Sequence, residues 1–185
     1  MKITVRQIVI AGVMSAITIF LGASHLGFIP FLAGTAITIM HVPVIIGAVL
    51  EGPLVGVAIG ALFGIFSLVQ ANIAPTGPGD LLFRDPLVSI FPRLFIGLAA
   101  YYVYALVKRW NKVGALGASA LIGTLTNTVL VLGMIGVRGY APWPILVTVG
   151  LTNGPLEIVA AILITLAVVI PWQQIETGRG KRSLE

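Results

Sequence analysis

The chain has 185 residues, of which 58% are hydrophobic and only 9% charged, with a mean hydropathy of +1.08. An average soluble domain is about 45–50% apolar and about 25% charged, so these charges cannot cover a soluble fold of this size and the chain reads as an integral membrane protein. The composition excludes intrinsic disorder, and the lack of Cys excludes a disulfide scaffold and any Cys-based zinc, iron–sulfur or redox site.

A bilayer core of about 30 Å needs about 20 mostly apolar residues per helix. Six such runs follow in order: Val5–Leu21, Gly34–Leu50, Pro53–Val69, Leu87–Val107, Val113–Ile135 and Pro144–Ile170. The first follows Lys2 and Arg6. It resembles a signal peptide, with Gly22-Ala23-Ser24 as cleavage site, but its apolar core is long for that, so a retained helix is expected. The second is the least regular, because Phe31–Ile39 also suits a partly re-entrant loop feeding a shorter helix. Glu51-Gly52-Pro53 makes the turn to the third run, and the Pro- and Gly-rich stretch Asn72 to Pro86 is the longest loop. Lys108 to Lys112 and Arg138 to Pro142 close the others.

The 11 Lys and Arg outnumber the 6 Asp and Glu. The charges lie between apolar runs, so they speak of topology rather than nucleic acid. With six spans, Lys2, Arg6, Lys108, Arg109, Lys112, Arg179, Lys181 and Arg182 share one side, leaving Arg84, Arg93 and Arg138 for the other side or within a span. The positive side is expected to be cytoplasmic, with both termini on it. Trp110, Trp143 and Trp172 fall at span ends, where indoles favour the interface. The expected fold is an all-α membrane protein, a single bundle of six transmembrane helices over residues 1–175, with a short basic cytoplasmic tail over 176–185.

Charged and amide side chains inside spans are costly and point to function. Counting about 1.5 Å per residue from the outer ends puts Arg93 and His41 about 10 Å deep, Asn127 and Asn153 about 13 Å, and Glu157 about 20 Å. Four helices thus bring polar groups into the outer half, as a pocket open to the outside would need. The cytoplasmic halves offer no matching set, which argues against a continuous polar pore. Structural readings stand beside this one. Arg93 and Glu157 suit a buried ion pair, Asn127 suits interhelical hydrogen bonding within Thr124–Thr128, Asn153-Gly154-Pro155 suits a local helix break, and His41 suits a satisfied interior histidine.

Small residues form two stripes. Gly52, Gly56, Gly60 and Gly64 recur every four residues in the third run. Ala11 and Ser15, or Gly12 and Ala16, repeat that spacing in the first. Such stripes let helix backbones approach closely, either inside the monomer or against another membrane subunit.

No phosphate-binding loop, H-E-x-x-H, G-x-S-x-G or G-x-G-x-x-G motif occurs, and two His without Cys make a metal cluster improbable. No ATPase, cofactor or metal site is therefore expected, and energy for uphill transport would come from another chain or an ion gradient. A small intramembrane enzyme using Glu157 and His41 as acid and base is a weaker alternative.

Several texts, in order, resemble the substrate-binding S component of energy-coupling factor (ECF) vitamin transporters. Met40 to Gly47 followed by Glu51-Gly52-Pro53-Leu54-Val55-Gly56 is similar to the family's second-to-third helix passage. Phe91-Pro92-Arg93-Leu94-Phe95-Ile96-Gly97-Leu98 is similar to its fourth helix, and Asn153-Gly154-Pro155-Leu156-Glu157 to its sixth. The resemblance covers about residues 5–171.

It implies a receptor in the cell membrane of a prokaryote that captures a vitamin outside. The receptor would join a transmembrane coupling subunit with two ABC-type ATPases, and release its cargo inward after tilting. The substrate-binding set would be Arg93, Asn127, Asn153, Glu157 and His41. The coupling-subunit contact would be drawn from Ala11, Gly12, Ser15 and Ala16, with Gly56 and Gly60. Among S components, the His41-Val42-Pro43 and Phe91-Pro92-Arg93 texts look most like the pantothenate branch. Phe83, Phe91 and Tyr140 also suit a flat ring, as in riboflavin, folate, pyrimidine or pyridoxine types, and a stand-alone secondary transporter is the further alternative.

Overall fold

The computed structural model describes residues 3–30, 36–75 and 77–182. The first helix, α1 (Val5–Ala23), starts from a capping box in which Thr4 and Gln7 satisfy each other's backbone N–H groups. A short antiparallel ribbon follows, β1 (Phe28–Pro30) against β2 (Ala36–Thr38), with Phe28 opposite Thr38. Next come α2 (Val42–Glu51), α3 (Pro53–Ile73), a 3-10 turn (Pro78–Arg84), and α4 (Pro86–Ser89). The chain ends with α5 (Phe91–Val107), α6 (Lys112–Val137) and α7 (Trp143–Arg182). Pro at the start of α2, α3, α4 and α5 fits the first helical turn, where its missing N–H costs nothing. Asn111 caps α6 by accepting from the N–H groups of Val113 and Gly114.

Among the described residues, five helical segments are long and apolar enough to cross a membrane: α1, α3, Pro86–Val107, α6 and Trp143–Ile175 of α7. The protein is a helical, multi-pass membrane protein. The second predicted run, Gly34–Leu50, is not one helix. Residues 31–35 lie outside those described, Ala36–Thr38 pairs as a strand, and the helix begins only at Val42. At ten residues, α2 is about 15 Å long, half a bilayer core.

The reason lies in burial. Val42 through Val49 of α2 are all buried, and the helix packs against α1, α3, α5, α6 and α7. It is the hub of the bundle, so it is apolar all round, as a fully enclosed helix must be. Hydropathy alone cannot separate such a segment from one that faces lipid. Gly52, at φ +102°, turns the chain from α2 into α3, a conformation that disfavours any side chain.

The glycine ladder sets the distance between α3 and α5. A Cβ on Gly56 would fall 2.8 Å from the Gly97 Cα, and one on Gly60 would collide with the Arg93 carbonyl oxygen. The two helices therefore touch backbone to backbone, in antiparallel sense. This contact fixes where Arg93 sits.

Hydrogen bonds define the two ends of the bundle. At one end Arg6 Nε meets Glu51 Oε1 at 2.5 Å, and Gln173 Nε2 donates to the Tyr104 hydroxyl at 3.1 Å. At the other, Asp85 accepts from Arg138 Nε at 2.6 Å and from the Tyr140 hydroxyl at 3.0 Å, while Arg84 Nε donates to the Ala71 carbonyl. Past residue 175, α7 continues as helix through Arg182, across the expected start of the tail.

Candidate functional site

All five residues expected to form a site are buried. His41, the residue before α2, is fully enclosed; Arg93 on α5 is 4% exposed, and Asn127 on α6 and Asn153 and Glu157 on α7 are 6–8% exposed. His41 reaches mid-bundle because α2 starts there, not because a full-length helix carries it inward.

From His41 to Glu157 the residues form a chain along α6. His41 Nε2 meets Thr124 Oγ1 at 2.9 Å. One turn on, at the i+4 position that shares its face, Thr128 Oγ1 donates to Glu157 Oε2 at 3.3 Å, with Asn127 between them. Glu157 Oε1 accepts the backbone N–H of Thr38 at 2.9 Å, so this carboxylate ties the end of the β1–β2 ribbon to α7. Asn153 lies one turn before Glu157.

Arg93 stands apart from that chain but within electrostatic reach of His41. No ion pair joins it to Glu157, which corrects the buried-pair reading: each group has other partners. The Arg93 guanidinium carbon lies 5.2 Å from the Phe63 ring centre and 4.9 Å from that of Phe83, and Nη1 donates to the Val88 carbonyl. That carbonyl is available because Pro92, four residues on, has no N–H to offer it.

Four of the five residues carry an atom without a hydrogen-bond partner: Arg93 Nε, His41 Nδ1, Asn127 Oδ1 and Asn153 Oδ1. A buried polar group left unpaired costs about 1–3 kcal/mol, and native interiors seldom tolerate several together. One cation, two amide carbonyls and an imidazole nitrogen are therefore buried with bonding capacity left over. This set suits a small polar anion with hydroxyl or amide groups.

The helix-break reading of Asn153-Gly154-Pro155 is also corrected. The helix runs on through Pro155, and the Asn153 carbonyl oxygen caps nothing. Arg84 and Arg138, read from the sequence as loop charges, lie at the surface with the partners already named. The Leu87 N–H, then the Tyr140 hydroxyl and Arg138, hold the Asp85 carboxyl below its usual range. A shallow cleft of about 410 Å³ opens at this clasp, lined by Leu81, Leu82, Asp85 and Tyr140 among others, and not at the buried cluster.

Thr128, Phe63 and the Thr38 backbone join the site without a role expected from the sequence. The paired threonines flanking Asn127 carried a signal, since i and i+4 hydroxyls line one helix face. Phe63 and Thr38 carried none, because their partners come from distant elements.

The family model for the substrate-specific component of ECF transporters matches residues 6–169. The chain belongs to this family. Its members are transport subunits rather than enzymes, and they serve together with an ECF module. This substrate-specific component is similar to the pantothenic acid transporter PanT of Lactococcus lactis subsp. cremoris, with 33% identity over 151 residues, covering 71% of this chain and 75% of that protein. It is also similar to the pantothenate transporter PanT of Leuconostoc mesenteroides subsp. mesenteroides, with 30% identity over 116 residues, 60% of this chain and 55% of that relative.

The component's small-residue stripes differ in placement. Gly56 and Gly60 are buried against α5 and have no free face for a coupling subunit, so their expected contact with one is corrected to internal packing. On α1, Ser15 is buried and Ala11 packs on the core, whereas Gly12 and Ala16 are exposed and nothing lies within 4 Å of a Cβ placed on Gly12.

Proposed function

We propose that this component binds pantothenate from outside the cell and delivers it to an ATP-driven importer. Four unpaired polar atoms on four separate elements, with Arg93 as the only cation among them, carry the reading. Pantothenate offers one carboxylate, two hydroxyls and an amide, and the two relatives are named for it. Arg93 takes the carboxylate through a charge-assisted hydrogen bond. His41, Asn127 and Asn153 meet the hydroxyl and amide groups. Glu157 contributes by holding the ribbon through Thr38, with its second oxygen occupied by Thr128.

In this proposal the ribbon and α2 together make the second crossing. Backbone away from regular helix is tolerated at that depth because protein surrounds it. Six crossings put both termini on the side of Arg6, Lys108, Arg109 and Lys112, which is the cytoplasm by the distribution of positive charge. The cell membrane is the site of action. The exposed Gly12–Ala16 face of α1 docks the transmembrane coupling subunit, and two ABC-type ATPases supply the energy the chain itself has no motif for.

Calorimetric titration of the detergent-purified protein tests the site. Arg93→Ala is expected to weaken pantothenate binding about 100-fold or more, since a desolvated charge loses its partner. Arg138→Ala, at an exposed ion pair, is expected to stay within about threefold. Equal losses in the two variants would refute the assignment.

A further inference from the structure

The guanidinium of Arg93 is held by more than its own helix. Phe63 comes from α3, one turn after Gly60, the glycine whose missing Cβ admits the Arg93 backbone. Phe83 comes from the 3-10 turn that links α3 to α4, and its backbone carbonyl accepts the hydroxyl of Ser89, itself fully buried. The Val88 carbonyl, freed by Pro92, takes Nη1. Two ring faces and one carbonyl thus restrain a charge that has no carboxylate partner among the described residues, while Nε stays unbonded. An arginine side chain has many rotamers and much entropy to lose on ordering. A guanidinium already restrained before the anion arrives has less left to lose on binding.

Resting on the pantothenate reading, we propose that Phe83 is a positioning residue: it fixes the Arg93 guanidinium and so sets the preference for an anionic substrate over its neutral counterpart. Phe83 comes from a connecting turn and is partly buried against the small cluster of Val88, Val131, Ile135 and Leu146, so its ring is held in place over the guanidinium. Loss of its ring face leaves Phe63 to hold one side only. The charge then samples other rotamers, and the carboxylate must order it on arrival. A neutral ligand draws little on that charge, so its binding changes little.

The test titrates purified protein with pantothenate and with pantothenol, in which a primary alcohol replaces the carboxylate. Wild type is expected to prefer pantothenate by about tenfold or more, the worth of a charge-assisted hydrogen bond. Phe83→Leu is expected to weaken pantothenate binding about three- to thirtyfold, the range that cation–π attraction spans in a desolvated site. It should leave pantothenol binding within about twofold, while Phe83→Tyr, which keeps the ring face, retains the wild-type ratio. Unchanged pantothenol binding doubles as the check that the variant is folded, and Phe83→Met gives the same comparison if the leucine variant is not. Equal weakening toward both ligands, or an unchanged ratio in Phe83→Leu, would overturn the positioning role and leave the functional reading in place. A wild-type protein that binds both ligands alike would overturn the functional reading and this inference with it.

Discussion

Two stripes of small residues look alike in the sequence and have opposite placements in the fold. Gly56, Gly60 and Gly64 on α3 are spaced four apart, as are Gly12 and Ala16 on α1. The α3 stripe is buried, Gly56 and Gly60 against the backbone of α5 and Gly64 against Ser89 and Ile90 just before it, so close that side chains there have no room. The α1 stripe lies on the outside, amid exposed Val9, Val13 and Phe20, with open space where a Gly12 side chain would go. Spacing shows only that a helix can be approached closely; what approaches it is decided by the other helices. Within this bundle α5 has already taken the α3 stripe, and the α1 stripe stays free for a partner.

The sharpest way to break that contrast is to enlarge Gly60. Gly60→Leu drives a side chain into the Arg93 carbonyl, and separating α3 from α5 also moves the guanidinium. Overpacking a tight core costs about 1–3 kcal/mol or more. The variant is expected to lose pantothenate binding and most of its folded yield, as read by titration and by gel filtration in detergent. A well-folded, binding-competent Gly60→Leu would show that the ladder is not a packing seam.

A smaller effect is expected on the inward side of α1. Ser15→Leu adds bulk at a position only 4% exposed, and should lower stability by about 1–3 kcal/mol, seen as an earlier thermal transition with binding still measurable. The smallest effect on the isolated protein belongs to the outward side. Gly12→Leu combined with Ala16→Leu should leave thermal stability and pantothenate affinity within error of wild type. In cells that also hold the coupling subunit and ATPases, the same pair should abolish uptake. If it abolishes binding as well, the α1 stripe is internal packing and the contrast collapses.

Much of the fold is legible from residues alone. Apolar runs of about bilayer length read as crossings, because backbone groups in lipid must satisfy themselves within a helix. On that ground α1, α3, α5, α6 and α7 are all expected from the sequence. Arg93, Asn127, Asn153 and Glu157 lie within long apolar helices and are buried, whereas His41 is buried because α2, which it precedes, is enclosed on all sides. Periodicity is silent elsewhere. The run Gly34–Leu50 is equally apolar as a lipid-facing helix, a buried hub or a ribbon feeding one, and only the surrounding helices enclose Val42–Val49 completely.

What the sequence determined by itself was therefore the class of solvent and which polar groups fall within apolar segments, since both are properties of a segment and its composition. What only the tertiary structure decided was pairing. Glu157 binds the Thr38 N–H and Thr128 rather than Arg93, Arg93 rests between two rings from elsewhere in the chain, and one small-residue face is covered while another is not. Contacts between residues as far apart as Thr38 and Glu157 depend on helix rotation and separation. Those are set by the whole packing arrangement and are written in no single stretch of the chain.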